Sequence, residues 1–332
     1  MDNGHLHSKQ SPRQQLSDRT KSASLLWIFR ILVVLFLLFM VGEILVWAYP
    51  PAYVLLLSLA GRSPVCTWDE AFRGAKRWQS YRYYDKAWTE RRLLESDPKG
   101  FHRWQTPLGD FWISENSDGV LPILIAQQEN QIYGFSSATS VQSGDVVLDC
   151  GAHVGVFVRT ALLLGAKLVV AIEPAPDNLE CLRRNFAREI ELGQVIVYPK
   201  GVWDQDDLLT LYVYPKNSAA DSFVIKNQQP SSTAIKVPLT TIDHLVSELK
   251  LAKVNFIKMD IKGATERAFQ GANRTLHQQK PRLAISVEED EDDPKKIVSS
   301  VQNLALGYRM QCGMCTLGDG QLIPTELFFL AP

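Results

Sequence analysis

The chain begins with a polar stretch, continues through one long apolar run, and then alternates short apolar runs with polar, glycine-bearing turns. The long run, LLWIFRILVVLFLLFMVGEILVWAY at Leu25–Tyr49, is interrupted only by Arg30 and Glu43. At about 1.5 Å per residue a helix of that length crosses a bilayer, so the run predicts a single N-terminal transmembrane helix. Trp27, Trp47 and Tyr49 would lie at headgroup level, and Pro50-Pro51 would end the helix. A cleaved signal peptide is the alternative, but its apolar region typically spans only about 7 to 15 residues. Residues 1–24 read as a disordered polar tail.

Residues 50–105 read as a juxtamembrane segment. Tyr53–Ala60 is too short to span alone and is either an interfacial segment or the return limb of a hairpin broken at Pro50-Pro51. Residues 68–95 mix aromatic and basic groups in a helical pattern. They form either a solvated helix with its rings packed on the body or a helix lying on anionic headgroups of a lipid bilayer.

From residue 145 onward the pattern changes to strand and helix in alternation. Asp145–Asp149 reads as a buried parallel strand, Val158–Leu164 as a helix, Leu168–Ile172 as a second strand and Asp177–Arg188 as the next helix. Further strands are predicted at Gln194–Tyr198, Leu208–Tyr214, Val254–Met259, Arg282–Val287 and Glu326–Leu330, with a helix at Thr265–Gly271. The alternation predicts an α/β domain over 106–332, a Rossmann-like sheet with helices on both faces.

Composition narrows the function. The 35 basic and 36 acidic residues give a net charge of −1, which argues against a dedicated nucleic-acid binder. Residues 1–92 carry 13 Lys/Arg and 7 Asp/Glu, a net of +6, so the rest sums to −7. Five cysteines are an odd number and too few for a disulfide scaffold, which favours a reducing compartment.

The turn after the first parallel strand carries the candidate chemistry. Asp149 is followed by Gly151, Ala152, His153 and Gly155, and the second strand ends in Glu173. Glycines at such a turn let the backbone approach a ligand, and a carboxylate at the second strand tip can take both hydroxyls of a ribose. A dinucleotide site needs G-x-G-x-x-G, whose middle glycine admits pyrophosphate to a helix N-terminus. Here that position is His153, so the loop lacks the pyrophosphate fingerprint. S-adenosylmethionine has a ribose and an adenine but no phosphate, and its cationic groups suit a neighbour such as Asp149.

Four blocks in order then resemble the FkbM family of S-adenosylmethionine-dependent methyltransferases: VVLDCGAHVGVF ending at Phe157, AIEPAPDNLECLRRNF from Ala171, VPLTTIDHL from Val237, and FIKMDIKGATERAFQGA from Phe256. The resemblance covers Thr106–Phe329. It implies a class I methyltransferase sheet and S-adenosyl-L-methionine as cofactor, held by Asp149, Gly151, Ala152, His153, Gly155 and Glu173, with Gly201 and Val202 beside the adenine. It also implies O-methylation of a hydroxyl on a sugar, glycolipid or other small molecule. The chain departs from the family where Lys262 replaces the usual glutamate, where Thr265 stands in place of a second acid, and where His153 replaces asparagine. A histidine there could titrate near neutral pH.

Asp260, at a strand tip beside the cofactor, is the first candidate for taking the acceptor's proton or anchoring the substrate, and Glu288 is the second. The bland alternative for either is a helix cap or a pair with Lys258 or Lys262. Cys312-Gly313-Met314-Cys315 is a lone C-x-x-C, which reads as a tight turn or a redox pair; no metal is expected there. The acidic run at 288–293 reads as a solvated loop. Because the cofactor is cytosolic, the catalytic domain of a single-pass protein would face the cytoplasm. A nicotinamide oxidoreductase and a catalytically silent binding module remain the competing classes.

Overall fold

The computed structural model describes residues 27–42, 44, 50–76, 80–214, 217–221, 223, 233–287, 294–318 and 320–331. The polar tail at 1–24, Glu43, Trp47, Tyr49, Glu288 and the acidic run lie outside the described residues. The chain divides into two units, Met1–Tyr53 and Val54–Pro332.

In the first unit the expectation of a transmembrane helix at Leu25–Tyr49 is overturned. Among the described residues no helix is long and apolar enough to cross a membrane. Within this run the described residues 27–42 and 44 are helical. The single-pass topology with a cytoplasmic catalytic face falls with it. Pro50–Leu59 is a helix, so both prolines stand at a helix start, where a missing N–H is no loss.

The second unit opens with the helices Trp68–Lys76 and Ser80–Glu90. The basic-aromatic pattern therefore forms two helices, and its last residues belong to a strand. An antiparallel meander follows: β1 (Arg92–Asp97), β2 (Phe101–Thr106) and β3 (Gly109–Ser114). Its buried face, Phe101, Phe111 and Ile113, joins the main core. Asn185 clamps it from the helix Pro176–Asn185. Its Oδ1 accepts from the Trp112 N–H at 2.6 Å, and its Nδ2 donates to the carbonyls of Trp112 and Val154.

The central sheet is built from β4 (Val146–Cys150), β5 (Leu168–Ile172), β6 (Val195–Tyr198), β10 (Phe256–Met259), β11 (Arg282–Ser286), β12 (Arg309–Cys312) and β15 (Glu326–Leu330). Its order is β12-β15-β11-β10-β4-β5-β6. The five strands from β6 to β11 are parallel, and β15 runs antiparallel between β11 and β12. Strands buried on both faces must be apolar throughout, and LVVAI of β5 and ELFFL of β15 are almost wholly buried. The chain order reverses between β4 and β10, which opens a crevice at their carboxyl ends.

A second, three-stranded sheet, β7 (Gly201–Val202), β8 (Asp207–Val213) and β9 (Thr233–Thr240), has order β7-β9-β8. The predicted strand at Leu208–Tyr214 is therefore real but lies outside the central sheet. Near the C-terminus β13 (Cys315–Gly318) and β14 (Gln321–Pro324) pair as a hairpin.

Two of the five cysteines are paired, where the count had favoured a reducing compartment for most of the chain. Cys66 and Cys312 form a disulfide across 246 residues of sequence. Cys150, Cys181 and Cys315 are free and buried, and the Cys315 Sγ lies 3.8 Å from the Cys66 Sγ. The C-x-x-C motif thus puts one cysteine into a long-range crosslink and leaves the other beside it.

Closing so long a loop restricts the unfolded chain by about 5 kcal/mol in the chain-entropy model. The Cys66→Ala variant should therefore lose several kcal/mol in urea unfolding under oxidising conditions. Cys312→Ala should lose less, because Cys315 can replace Cys312 as the partner of Cys66. Equal losses in the two variants would show that no exchange of partner occurs.

Candidate functional site

The crevice is a cleft with about 860 Å³ of space, open solvent at its mouth included. Gly151, Ala152, His153, Glu173, Gly201, Val202 and Asp260 all line it. Of the other predicted residues, Asp149 is buried beneath the floor and Gly155 packs behind the loop.

The floor is fixed by backbone hydrogen bonds between strand tips. Gly151 and Ala152 N–H groups both donate to the Ile172 carbonyl, Glu173 N–H to Tyr198, and Asp260 N–H to Cys150. The glycines are required by packing as much as by ligand approach. Gly151 has φ of +77°, and a Cβ there would stand 2.1 Å from the Asp260 carbonyl oxygen. Gly155 has φ of +90°, and its Cβ would meet the Phe186 ring at 2.2 Å.

Beneath the floor Lys258 of β10 stands opposite Asp149 of β4 in the strand register. Its Nζ lies 3.0 Å from Asp149 Oδ1 and donates to the Gly151 carbonyl at 2.8 Å. Lys258 is held protonated: the fields of Asp149 and Asp260 outweigh the effect of burial. Asp149 Oδ2 is buried with no hydrogen-bond partner among the described residues.

Glu173 is buried, and its carboxylate accepts from the Ala175 and His153 N–H groups at 2.9 Å each and from Asn178 Nδ2 at 3.3 Å. Burial raises its pKa, while these donors pull it back down. His153, in the left-handed region at φ +52°, pairs through Nε2 with Ser218 Oγ at 2.6 Å. Burial, reinforced by Lys258, pushes it down to about 3. The expectation that His153 titrates near neutrality is thus corrected: the ring is neutral there.

Asp260 stands at the tip of β10. Tyr133 Oη donates to its Oδ2 at 2.8 Å, and Lys262 Nζ lies 3.5 Å from its Oδ1. Burial alone would raise the Asp260 carboxyl, but Lys262, Lys258 and the Tyr133 hydroxyl overcome it and hold the group down at about 2. Pairing with Lys262 is therefore present, and Lys258 serves Asp149 instead. Glu288 lies outside the described residues.

Tyr133, Ser218, Asp221 and Lys258 belong to the site and were not among the predicted residues. Only Lys258 left a signal, a lysine inside the buried run Phe256–Met259. The others come from loops, with Tyr133 lying 127 positions from its partner Asp260. His102, His244 and His277 pair with Asp118, Asp206 and the Asn273 carbonyl, away from the cleft.

Five parallel strands, an antiparallel strand inserted next to the last, and a glycine-lined crevice at the switch point define the fold of S-adenosylmethionine-dependent methyltransferases. The model of the methyltransferase FkbM domain matches residues 149–310. No curated protein matches the chain. Among solved structures it is similar to methyltransferase FkbM from Methylobacillus flagellatus KT, at 16% identity and a TM-score of 0.41 over 79% of this chain. The chain spans 60% of that protein's length. It is also similar to the M. jannaschii tRNA m1G37 methyltransferase, at 14% identity and a TM-score of 0.38, over 72% of this chain and 55% of that one. With precorrin-6y C5,15-methyltransferase from Geobacter metallireducens GS-15 it shares 13% identity and a TM-score of 0.32, over 58% of this chain and 81% of the other.

Removing Lys258 strands a buried carboxylate, a change that typically costs about 3 to 5 kcal/mol. Lys258→Met should therefore lower urea-unfolding stability by that amount, and the double variant Asp149→Leu/Lys258→Met should recover part of it. A Lys258→Met protein of unchanged stability would mean that the pair does not hold the floor.

Proposed function

We propose that the cleft binds S-adenosyl-L-methionine and that the protein methylates a hydroxyl of a sugar, glycan or other small molecule. The observation that carries this reading is the polar lining of the cleft: Glu173, Asp221 and Asp260 line it together with Lys258 and Lys262. A loop with His153 where a dinucleotide site has glycine disfavours a pyrophosphate. The carboxylates of Glu173 and Asp260 suit a ribose diol, an amine and a sulfonium.

In this reading Glu173, kept in place by its three donors, takes the ribose hydroxyls. Gly201 and Val202 lie against the base, and Ala152 and Gly151 form the wall along the ligand. When bound, the cofactor supplies an electrophilic methyl group. The chain's own task is to align an acceptor with it. A carboxylate held near 2 is a weak proton acceptor and a strong hydrogen-bond acceptor, so Asp260 serves as the anchor that orients the acceptor hydroxyl. Lys262 beside it keeps the catalytically silent binding module as the competing reading. Release of labelled methyl onto an extract of cell glycans would decide against that module, and tight binding without any turnover would decide for it.

Glu173→Ala should weaken S-adenosylmethionine binding in calorimetry by roughly 1.5 to 3 kcal/mol, the scale of charge-assisted hydrogen bonds. NAD should not bind in either protein; NAD binding with S-adenosylmethionine silent would replace the methyltransferase by an oxidoreductase. Asp260→Asn should lower kcat/KM for the acceptor by about 10- to 100-fold, through loss of a charged anchor of the same size.

A further inference from the structure

We propose that Asp221 reads the base of the bound nucleoside through a two-way hydrogen bond to its amino-purine edge, an assignment that rests on the cofactor reading above. Asp221 lines the cleft on the same side as Val202, Leu211 and Phe223, which make an apolar slot suited to a flat ring. Its Oδ1 accepts the Tyr214 N–H at 2.9 Å, which fixes the carboxyl group and leaves that oxygen a second lone pair. Its Oδ2 is buried with no hydrogen-bond partner among the described residues. A turn needs only the first oxygen; the second is buried in the cleft wall with nothing to bind, and a buried unsatisfied polar atom calls for an explanation.

Around Asp221 the titratable groups are Glu173 at the tip of β5 and Asp177 in the following helix, both acidic, with neutral His153 across the cleft wall. Among the described residues no cation is among the groups acting on it. Burial first, then repulsion from Glu173 and Asp177, pushes the Asp221 carboxyl up to about 8, against the pull of the Tyr214 N–H. At neutral pH it is therefore an acid with a proton to give. Oδ2–H can donate to a ring nitrogen of the purine while Oδ1 accepts from the exocyclic amine. A carboxylate could only accept, and would leave the ring nitrogen unpaired.

The sign of the pH dependence follows. Ligand binding favours the protonated form, so affinity is full below about pH 8 and is lost as pH rises through that value, by about tenfold per unit for one proton. Glu173 titrates with the opposite sense, its ionised form being the one that binds ribose. The amino group of the ligand titrates equally with every variant, so the comparison between variants carries the test.

S-adenosylhomocysteine should be titrated calorimetrically into the wild type, Asp221→Asn and Asp221→Leu between pH 6.5 and 9.5. Asparagine offers a permanent donor and acceptor, so Asp221→Asn should match the wild type at pH 6.5 and exceed it by about tenfold at pH 9. Asp221→Leu should bind at least tenfold more weakly than the wild type at pH 6.5. A wild-type to Asp221→Asn affinity ratio that does not change with pH, or normal binding by Asp221→Leu, overturns the assignment while leaving the cofactor reading intact. A folded wild type that binds no S-adenosylhomocysteine at any pH overturns both.

Discussion

The cleft depends on one buried interaction, the ion pair of Lys258 and Asp149 across β10 and β4. These two strands flank the point where the sheet's order reverses, and their tips must part for a crevice to open. A lysine and an aspartate facing each other at that point hold the strands in a single register, because a slip of one residue would bury each charge alone at a cost of several kcal/mol. The same ammonium also binds the Gly151 carbonyl, so the glycine turn is tied to the neighbouring strand as well as to its own. Gly151 completes the arrangement by leaving no side chain where the Asp260 carbonyl approaches.

Much of this was legible in the sequence, for a physical reason. Strands buried on both faces must be continuous apolar runs, so Leu168–Ile172 and Glu326–Leu330 stood out and match the structure residue for residue. The glycine turn and Glu173 were legible because each directly follows a continuous, largely apolar strand. The meander β1 to β3 was not, since its strands mix Arg, His, Trp and Gln and bury only alternate residues. Tyr133 and Asp221 were not legible either: each reaches the cleft from an irregular loop, and no local periodicity marks such an approach. The membrane helix was read from hydropathy alone, and among the described residues no helix is long and apolar enough to cross a membrane.

Cysteine counting failed for a related reason. An odd total says nothing about which pairs the fold brings together, and Cys66 and Cys312 meet only because the segment before the helix Trp68–Lys76 lies against the end of β12. The neighbouring turn is close-packed: a Cβ on Gly74 would meet the Gly313 carbonyl at 2.7 Å, and one on Gly313 would meet Glu326 Oε2 at 2.5 Å. Glu326 in turn receives the Met314 N–H and adds its charge to those that raise the Tyr133 hydroxyl. The crosslinked turn therefore stands one electrostatic step from Tyr133, and two from Asp260.

That chain of contacts fixes what Asp260 can do. Tyr133 is buried, and burial together with the charge of Asp260 pushes its hydroxyl well above its ordinary range, so it stays a donor at every accessible pH. Lys262 supplies a positive charge on the other oxygen. A carboxylate so provided for gains little by taking a proton, and moving one to it from an alcohol is steeply uphill. Methyl transfer to oxygen does not need a free alkoxide early in the reaction if the hydroxyl is already aimed and the electrophile is cationic. Under the proposed reading, the fixed negative charge of Asp260 in the cleft wall would help in two ways: it would orient the O–H and favour a positively charged ligand in a region of low dielectric. Lys262 in place of an acid shifts the balance toward anchoring, because a second carboxylate beside Asp260 would raise its pKa and restore its basicity.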